Sequence, residues 1–549
     1  MIAVAALVGI TALAVKVVSA DAHGCGSGVR LPVAAAPEIA PAVQEAARRW
    51  METSPEVNGK CVQVQVSAVA PADVASALAV RVGGRIDVAA QPAPTPSDAD
   101  LPAVWIPDST AWLGRVAAVD RNAVTAAAPS IAMSPVVFGM PEGVAATFAG
   151  GAGGRPPNLL QTALVDAQKA IQERRPPQFP MGIVDPRRDS ASLAGAMVVR
   201  DTVVTDESKL PALIAVYRVI NRGHVPDVAS LSTAFTQGVK VAPMTEQAVA
   251  AANTRTPDAP VAAVPFAAAG PSLDYPYATL AGKPRDVELA ATRLRGALLG
   301  GAYRDPLTRA GFRAPDGTSG PGFPTGHGIT PAQAAANALG DPERVAQTLG
   351  LWSAANSPSR ALTLVDVSSS MASPVPGRAG TTRLALLQQA AAAGLQLFTD
   401  TSSLGLWTFA SGHAELSPII PLTTANRQVI GQKIAGVQTT ASAESALFVT
   451  LRDAYRAMIE GYAPGVVNRI IVFTDGRSSV SEIRDLEQLN RQLETLASVT
   501  KPIEVTLIGV GADIDMAELE EIAQMTDGVA TRIRDPADIE TVFLRALLA

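Results

Sequence analysis

From residue 361 onward the chain alternates continuous apolar runs with amphipathic stretches. Ala361–Val365, Leu404–Phe409, Arg469–Thr474 and Ile503–Val510 are apolar runs of strand length, and Leu416–Ile420 reads as a ribbon-like strand. Between them Arg383–Phe398, Arg427–Ile434, Glu444–Ile459, Ile483–Leu496 and Met516–Gln524 have helical spacing. A short strand, Ala530–Ile533, and a closing helix, Ala537–Leu548, complete the order. Helices alternating with strands that are apolar on both faces predict a doubly wound, Rossmann-like α/β sheet.

A less regular alternation starts near residue 29. Strands are expected at Val29–Ala35, Val62–Val66, Asp87–Ala89 and Ala103–Ile106, with helices at Ile39–Met51 and Pro71–Val82, which gives a largely parallel first lobe. Ser130–Met140 is a long strand-like run, Leu159–Glu173 is helical, and Asp185-Pro186 opens another loop and helix. Val261–Phe266 reads as a strand inside a proline- and alanine-rich stretch, and Pro284–Gly300 as a helix. Glycine and proline break the pattern at Ala314–Pro331, after which a short helix near Pro331–Leu339 closes the domain. The expected organisation is a first domain over 24–340, a linker over 341–360 and a second domain over 361–549.

The first twenty residues are nearly all apolar, with Lys16 the single charge. A span of roughly twenty apolar residues can cross a bilayer. Residues 1–22 are therefore a transmembrane anchor or a signal peptide cut near Ala20-Asp21-Ala22. Either outcome places the protein at the extracytoplasmic face of the cell membrane, or secreted if the segment is cleaved. In that oxidising setting the only two cysteines, Cys25 and Cys61, are expected to form a disulfide.

Composition removes several function classes. A net charge of -6 leaves no broad basic field, so nucleic acid is not an expected partner. The four histidines are scattered singly, which provides neither a zinc cluster nor a histidine acid-base centre. Gly150–Gly154 is followed by Arg155 and lacks the Gly-Lys-Ser/Thr ending of a phosphate loop. No catalytic set emerges, and a non-enzymatic role is expected.

The strongest chemistry lies where the first C-terminal strand ends. Asp366-Val367-Ser368-Ser369-Ser370 presents three hard oxygens, from Asp366, Ser368 and Ser370, on alternate residues of one loop. Hard oxygen donors in octahedral geometry suit Mg2+ or Mn2+. With Asp475 in Ile470-Ile471-Val472-Phe473-Thr474-Asp475-Gly476, the pattern resembles the metal-ion-dependent adhesion site of von Willebrand factor type A (VWA) domains. The resemblance spans about Ala361 to Leu548. It implies a threonine ligand from Gln438-Thr439-Thr440-Ala441-Ser442; Thr440 is chosen, with Thr439 as the alternative. It further implies a metal completed by the acidic group of a protein or cell-envelope partner. Helix capping by Asp366 and the serines is the competing structural account, but the next predicted helix begins only at Arg383.

The first domain resembles the two-lobed periplasmic solute-binding proteins. The resemblance rests on Val104–Ser109, on Ser134–Pro141 as a crossing strand, and on Ile183–Pro186 with Asp274–Pro276. It implies a cleft in which hydroxyls and helix N-termini hold a small polar or anionic solute, with Ser109, Thr110 and Ser190 as candidates. Ordinary helix capping explains the same three residues. Trp105 and Trp112 read as core. Together these features predict a membrane-associated extracytoplasmic binding or adhesion protein; the alternative is the solute receptor of a transport system.

Overall fold

The computed structural model describes residues 28–88, 97, 101–124, 129–149, 159–173, 175–206, 209–266, 270–301, 304–375, 380–475, 482–483, 485–498, 500–511, 516–526 and 528–534. The proposed anchor over 1–22, Cys25 and the helix expected at Ala537–Leu548 lie outside them. Among the described residues no helix is long and apolar enough to cross a membrane.

The first lobe is built from β1 (Gly28–Ala35), α1 (Ala40–Met51), β2 (Glu56–Val57), β3 (Lys60–Ala68), α2 (Pro71–Arg81), β4 (Val104–Ile106) and α3 (Thr110–Val119). The second lobe holds β5 (Ser134–Pro141), α4 (Glu142–Ala149), α5 (Leu159–Gln172), α6 (Ser190–Val203), α7 (Leu210–Asn221), α8 (Leu231–Thr236), β6 (Ala242–Thr245), α9 (Glu246–Arg255) and β7 (Val261–Pro265). The chain then returns through β8 (Ser272–Leu273), β9 (Ala278–Thr279), α10 (Arg285–Leu299) and α11 (Asp305–Arg309). In the first sheet, ordered β2-β3-β1-β4-β9, β1 runs parallel to both β3 and β4. The second sheet is antiparallel, with β5 between β6 and β7. The parallel reading therefore holds for the centre of the first lobe alone. Trp105 and Trp112 are fully buried, as their apolar surroundings lead one to expect.

The glycine- and proline-rich stretch after Ala314 is tied down by one buried ion pair. Arg313 donates from Nε and Nη2 to the two carboxylate oxygens of Glu246, at 2.6 and 2.8 Å, and from its Nη atoms to the carbonyls of Thr330 and Ala332. A loop without apolar periodicity is thus held through its backbone oxygens.

Two features near the domain boundary differ from the sequence expectation. No helix forms over 331–339. Instead α12 (Pro342–Asn356) occupies most of the segment 341–360, which was expected as a linker. Its start is well specified: the Asp341 carboxylate accepts from the amides of Glu343 and Arg344, and Pro342 occupies the first turn. Val345, Leu349 and Trp352 then recur at helical spacing and are buried. Val345 and Leu349 join the first-lobe core, Leu351, Trp352 and Ala355 the second-lobe core, and Ala354 packs against both the second lobe and the C-terminal domain. The connection is a packed helix shared by three cores.

Beyond it come β10 (Ser359–Asp366), α13 (Arg383–Leu397), β11 (Ser403–Phe409), β12 (His413–Pro421), α14 (Thr424–Ala435), α15 (Leu447–Glu460), β13 (Val467–Thr474), α16 (Leu486–Leu496), β14 (Glu504–Val510), α17 (Ala517–Met525) and β15 (Val529–Ile533). These strands form one sheet in the order β12-β11-β10-β13-β14-β15. All neighbours are parallel except the β11-β12 ribbon. Apolar cores cover both faces: Val365, Ile471 and Phe473 point to one, Leu364, Ile470 and Val472 to the other. That two-sided burial is why these strands read as unbroken apolar runs.

Candidate functional site

The central strands β10 and β13 are parallel neighbours, with Val365 opposite Phe473. Their carboxyl ends therefore deliver Asp366 and Asp475 to the same edge of the sheet, where open α/β sheets place their ligands. Asp366 is fully buried and serves as an acceptor hub. Its Oδ1 accepts from the Ser368 amide at 2.9 Å and the Ser368 hydroxyl at 2.6 Å, and its Oδ2 from the Thr474 hydroxyl at 2.8 Å and the Ser445 hydroxyl at 3.1 Å. Burial pushes the Asp366 carboxyl above its ordinary range; the Ser368 and Thr474 bonds pull it down, and nearby Asp475 raises it further.

This bonding pattern orients the hydroxyls. Ser368 donates its hydroxyl hydrogen to Asp366, so on its other side its oxygen can only accept, and the Ser370 hydroxyl lies there at 3.0 Å as the donor. The loop before α15 is clasped onto the same place. Ser369 donates its amide to Ser442 O at 2.7 Å, and Thr440 donates its amide to Val367 O at 2.7 Å and its hydroxyl to the same carbonyl at 3.2 Å. Thr440 thus sits against the Asp366–Ser370 loop, whereas Thr439 has no such bond to it.

Asp475 supplies the decisive polar imbalance. It is 4% exposed, its Oδ2 accepts from Arg383 Nη1 at 2.9 Å, and its Oδ1 has no hydrogen-bond partner. A buried carboxylate oxygen left without a donor is costly and calls for a cation or a bound group. The donor set therefore fits a divalent ion: hydroxyls with lone pairs available, two aspartates, and one carboxylate oxygen unsatisfied. Sequence reasoning brought together Asp366, Ser368, Ser370, Thr440 and Asp475, and missed Ser445, Thr474 and Arg383. Thr474 immediately precedes Asp475 in a buried strand, which was the available signal; Ser445 and Arg383 reach the site only through tertiary structure.

In the first domain the three hydroxyl candidates are engaged internally. The Ser109 hydroxyl caps α3 by accepting from the Ala111 amide, and the Thr110 amide donates to Asp274 Oδ1 at 2.8 Å. Ser190 donates to Asp108 Oδ1 at 2.8 Å and accepts from Trp112 Nε1 at 3.0 Å. Their surroundings are acidic, a feature the sequence did not reveal. Asp108, Glu38 and Asp189 lie close enough to perturb one another, and the Tyr275 hydroxyl donates to Glu38 at 3.1 Å. Burial pushes Glu38 up to about 7 from its ordinary 4.5, and raises Asp108 and Asp189 as well, with mutual repulsion adding to Asp108.

These shifts have a definite sign. A carboxyl whose folded value lies above its unfolded one contributes stability that is complete below the unfolded value and disappears as pH rises through the folded value. Glu38→Gln should therefore gain stability relative to the unmodified protein as pH is raised from about 5 to about 8. Paired thermal melts across that range check this; a constant difference would contradict it.

Sequence comparison adds the families. The bacterial extracellular solute-binding protein profile matches residues 31–313, more than half of the chain. The chain belongs to that family. Its C-terminal part carries a VWA domain, with the von Willebrand factor type A profile matching residues 362–545. Over 542 residues the chain is 25% identical to uncharacterized proteins of Mycobacterium tuberculosis strains CDC 1551 and H37Rv, covering 93% of this chain and 75% of theirs. Among solved structures, the periplasmic binding protein P5PA aligns over 59% of this chain and 98% of its own at 12% identity, with a TM-score of 0.39. A von Willebrand factor type A protein from Catenulispora acidiphila aligns over 35% of this chain and 42% of its own at 18% identity, with a TM-score of 0.29. The solute-binding profile ends at residue 313, so the anchored loop after Arg313 and helix α12 lie between the two matched regions.

Proposed function

We propose that this protein is a non-enzymatic, extracytoplasmic binding protein whose VWA domain holds Mg2+ or Mn2+ and uses it to bind an acidic group on a protein or cell-envelope partner. The observation that carries this reading is the unsatisfied, buried Oδ1 of Asp475 beside the hydroxyl-bearing loop of Asp366. Ser368, Ser370 and Thr440 would hold the ion through neutral oxygens, while Asp366 and Asp475 would place negative charge beside it. The bound ion supplies a Lewis-acidic point for a carboxylate. Asp366 accepts the Ser368 hydroxyl hydrogen bond and thereby turns that oxygen outward as an acceptor.

Residues 1–22 would attach the protein to the membrane or direct its export, and Cys25 would pair with Cys61. Cys61 is buried on β3 and is not a free thiol. The two-lobed first domain supports a second reading, a solute receptor of a transport system. Ligand-induced compaction in small-angle scattering would favour it.

Partner recognition is tested with an array of aspartate- and glutamate-bearing peptides, probed in magnesium and again in chelator. Chelator-sensitive retention that is lost with Asp366→Ala supports the proposal; retention indifferent to both refutes it. Thr440→Ala should weaken magnesium binding about tenfold, the scale of one lost ligand contact, while Thr439→Ala should leave it unchanged. The reverse order, read by calorimetry, would assign the ligand to Thr439.

A further inference from the structure

We infer that Arg383 is an internal cation that competes with the metal for Asp475, so that it sets the metal affinity and makes tight metal binding depend on an acidic partner. The inference rests on the metal-binding reading of this site.

Three observations carry it. Arg383 Nη1 lies 2.9 Å from Asp475 Oδ2, and both side chains are largely buried, at 12% and 3% exposure. The guanidinium cannot drift away easily, because Arg383 opens α13 and its amide is fixed to Ser373 O at 3.0 Å. Asp475 nonetheless keeps one oxygen idle, so the arginine neutralises the carboxylate without satisfying it. A second cation therefore has both a reason to bind and a competitor already in place.

Charge counting gives the consequence. Among the described residues of the site, Asp366 and Asp475 contribute two negative charges and Arg383 one positive charge, which leaves this set short of one positive charge without metal. A divalent ion overshoots this and leaves a surplus positive charge in a poorly solvated place, where uncompensated charge is costly. An incoming carboxylate restores neutrality. Metal and acidic partner then each raise the affinity for the other by the same factor, as linkage requires. Without the arginine, the two aspartates and the ion would be neutral alone, and the metal would bind without help.

The test is calorimetric titration of the full chain with magnesium alone, for the unmodified protein, Arg383→Met and Arg383→Lys. Arg383→Met should bind magnesium about tenfold more tightly and melt at a lower temperature when metal-free, because Asp475 loses its 2.9 Å bond to the guanidinium. Arg383→Lys keeps the charge and should stay near the original affinity. Arg383→Gln is neutral yet able to donate to Asp475; it should also bind more tightly and is read in place of Arg383→Met if that variant does not fold. Magnesium binding that is measurable in the unmodified protein and equal or weaker in both neutral variants overturns the role of Arg383 while leaving the metal site standing. Absence of binding in all the folded variants removes the metal reading and this inference with it.

Discussion

Trp352→Ala should destabilise the protein by about 3–5 kcal/mol, the range for removing a large aromatic side chain from a packed core. Trp352 is 1% exposed on α12 and lies with its ring centroid 5.2 Å from that of Tyr217 on α7. Leu213, Val216, Leu351 and Ala355 are buried members of the same second-lobe core. The helix carrying it also contributes Val345 and Leu349 to the first lobe, so the cavity would loosen a joint rather than one wall. Because the chain has several cores, unfolding is best followed by transition, with the second-lobe transition expected to move most. Trp407 is the internal comparison. It is partly exposed on β11, stacked on His413 at 4.9 Å, and Trp407→Ala should cost less. Equal losses at the two positions, in denaturant titrations, would show that α12 is not a structural joint.

Asp366→Ala should abolish stabilisation by magnesium. In the unmodified protein, ligand at about a hundred times its dissociation constant adds about 2.7 kcal/mol, which corresponds to a rise of about 5–11 °C for a domain of this size. The variant should show no rise. Its metal-free fold should survive, for a physical reason: the Ser368, Ser445 and Thr474 hydroxyls that now donate to Asp366 can rotate to other acceptors. Only the Ser368 amide is stranded, a cost of about 1–3 kcal/mol, and removing a buried carboxylate offsets part of it. A magnesium-induced rise that persists in Asp366→Ala would mean that the ion binds elsewhere.

The contrast between what could and could not be read from the chain follows sequence distance. Asp366, Ser368 and Ser370 are legible because three oxygens sit at alternate positions of one loop, and Asp475 because it terminates a strand that is apolar on both faces. The C-terminal helices and strands among the described residues fall within a few residues of their expected bounds for the same reason, since two-sided burial leaves a strong periodic signal. Arg383 and Ser445 were silent: neither belongs to the motif, and only the packing of α13 and of the loop before α15 brings them to the aspartates. Glu38, Asp108 and Asp189 were silent too, because each comes from a different element of the first domain and looks alone like an ordinary polar loop residue. Helix α12 was hidden by its neighbourhood. The preceding glycine- and proline-rich stretch suggested a flexible connection, and the capping signal Asp341-Pro342 was outweighed by it.

The most direct test of the metal-site proposal is a crystal structure of the full chain soaked in manganese, read in an anomalous difference map. The account predicts a strong peak among the Ser368, Ser370 and Thr440 hydroxyls, on the side of Asp475 Oδ1, that disappears from Asp366→Ala crystals treated alike. A map with no peak there at saturating manganese, or a peak that survives the substitution unchanged, would contradict it.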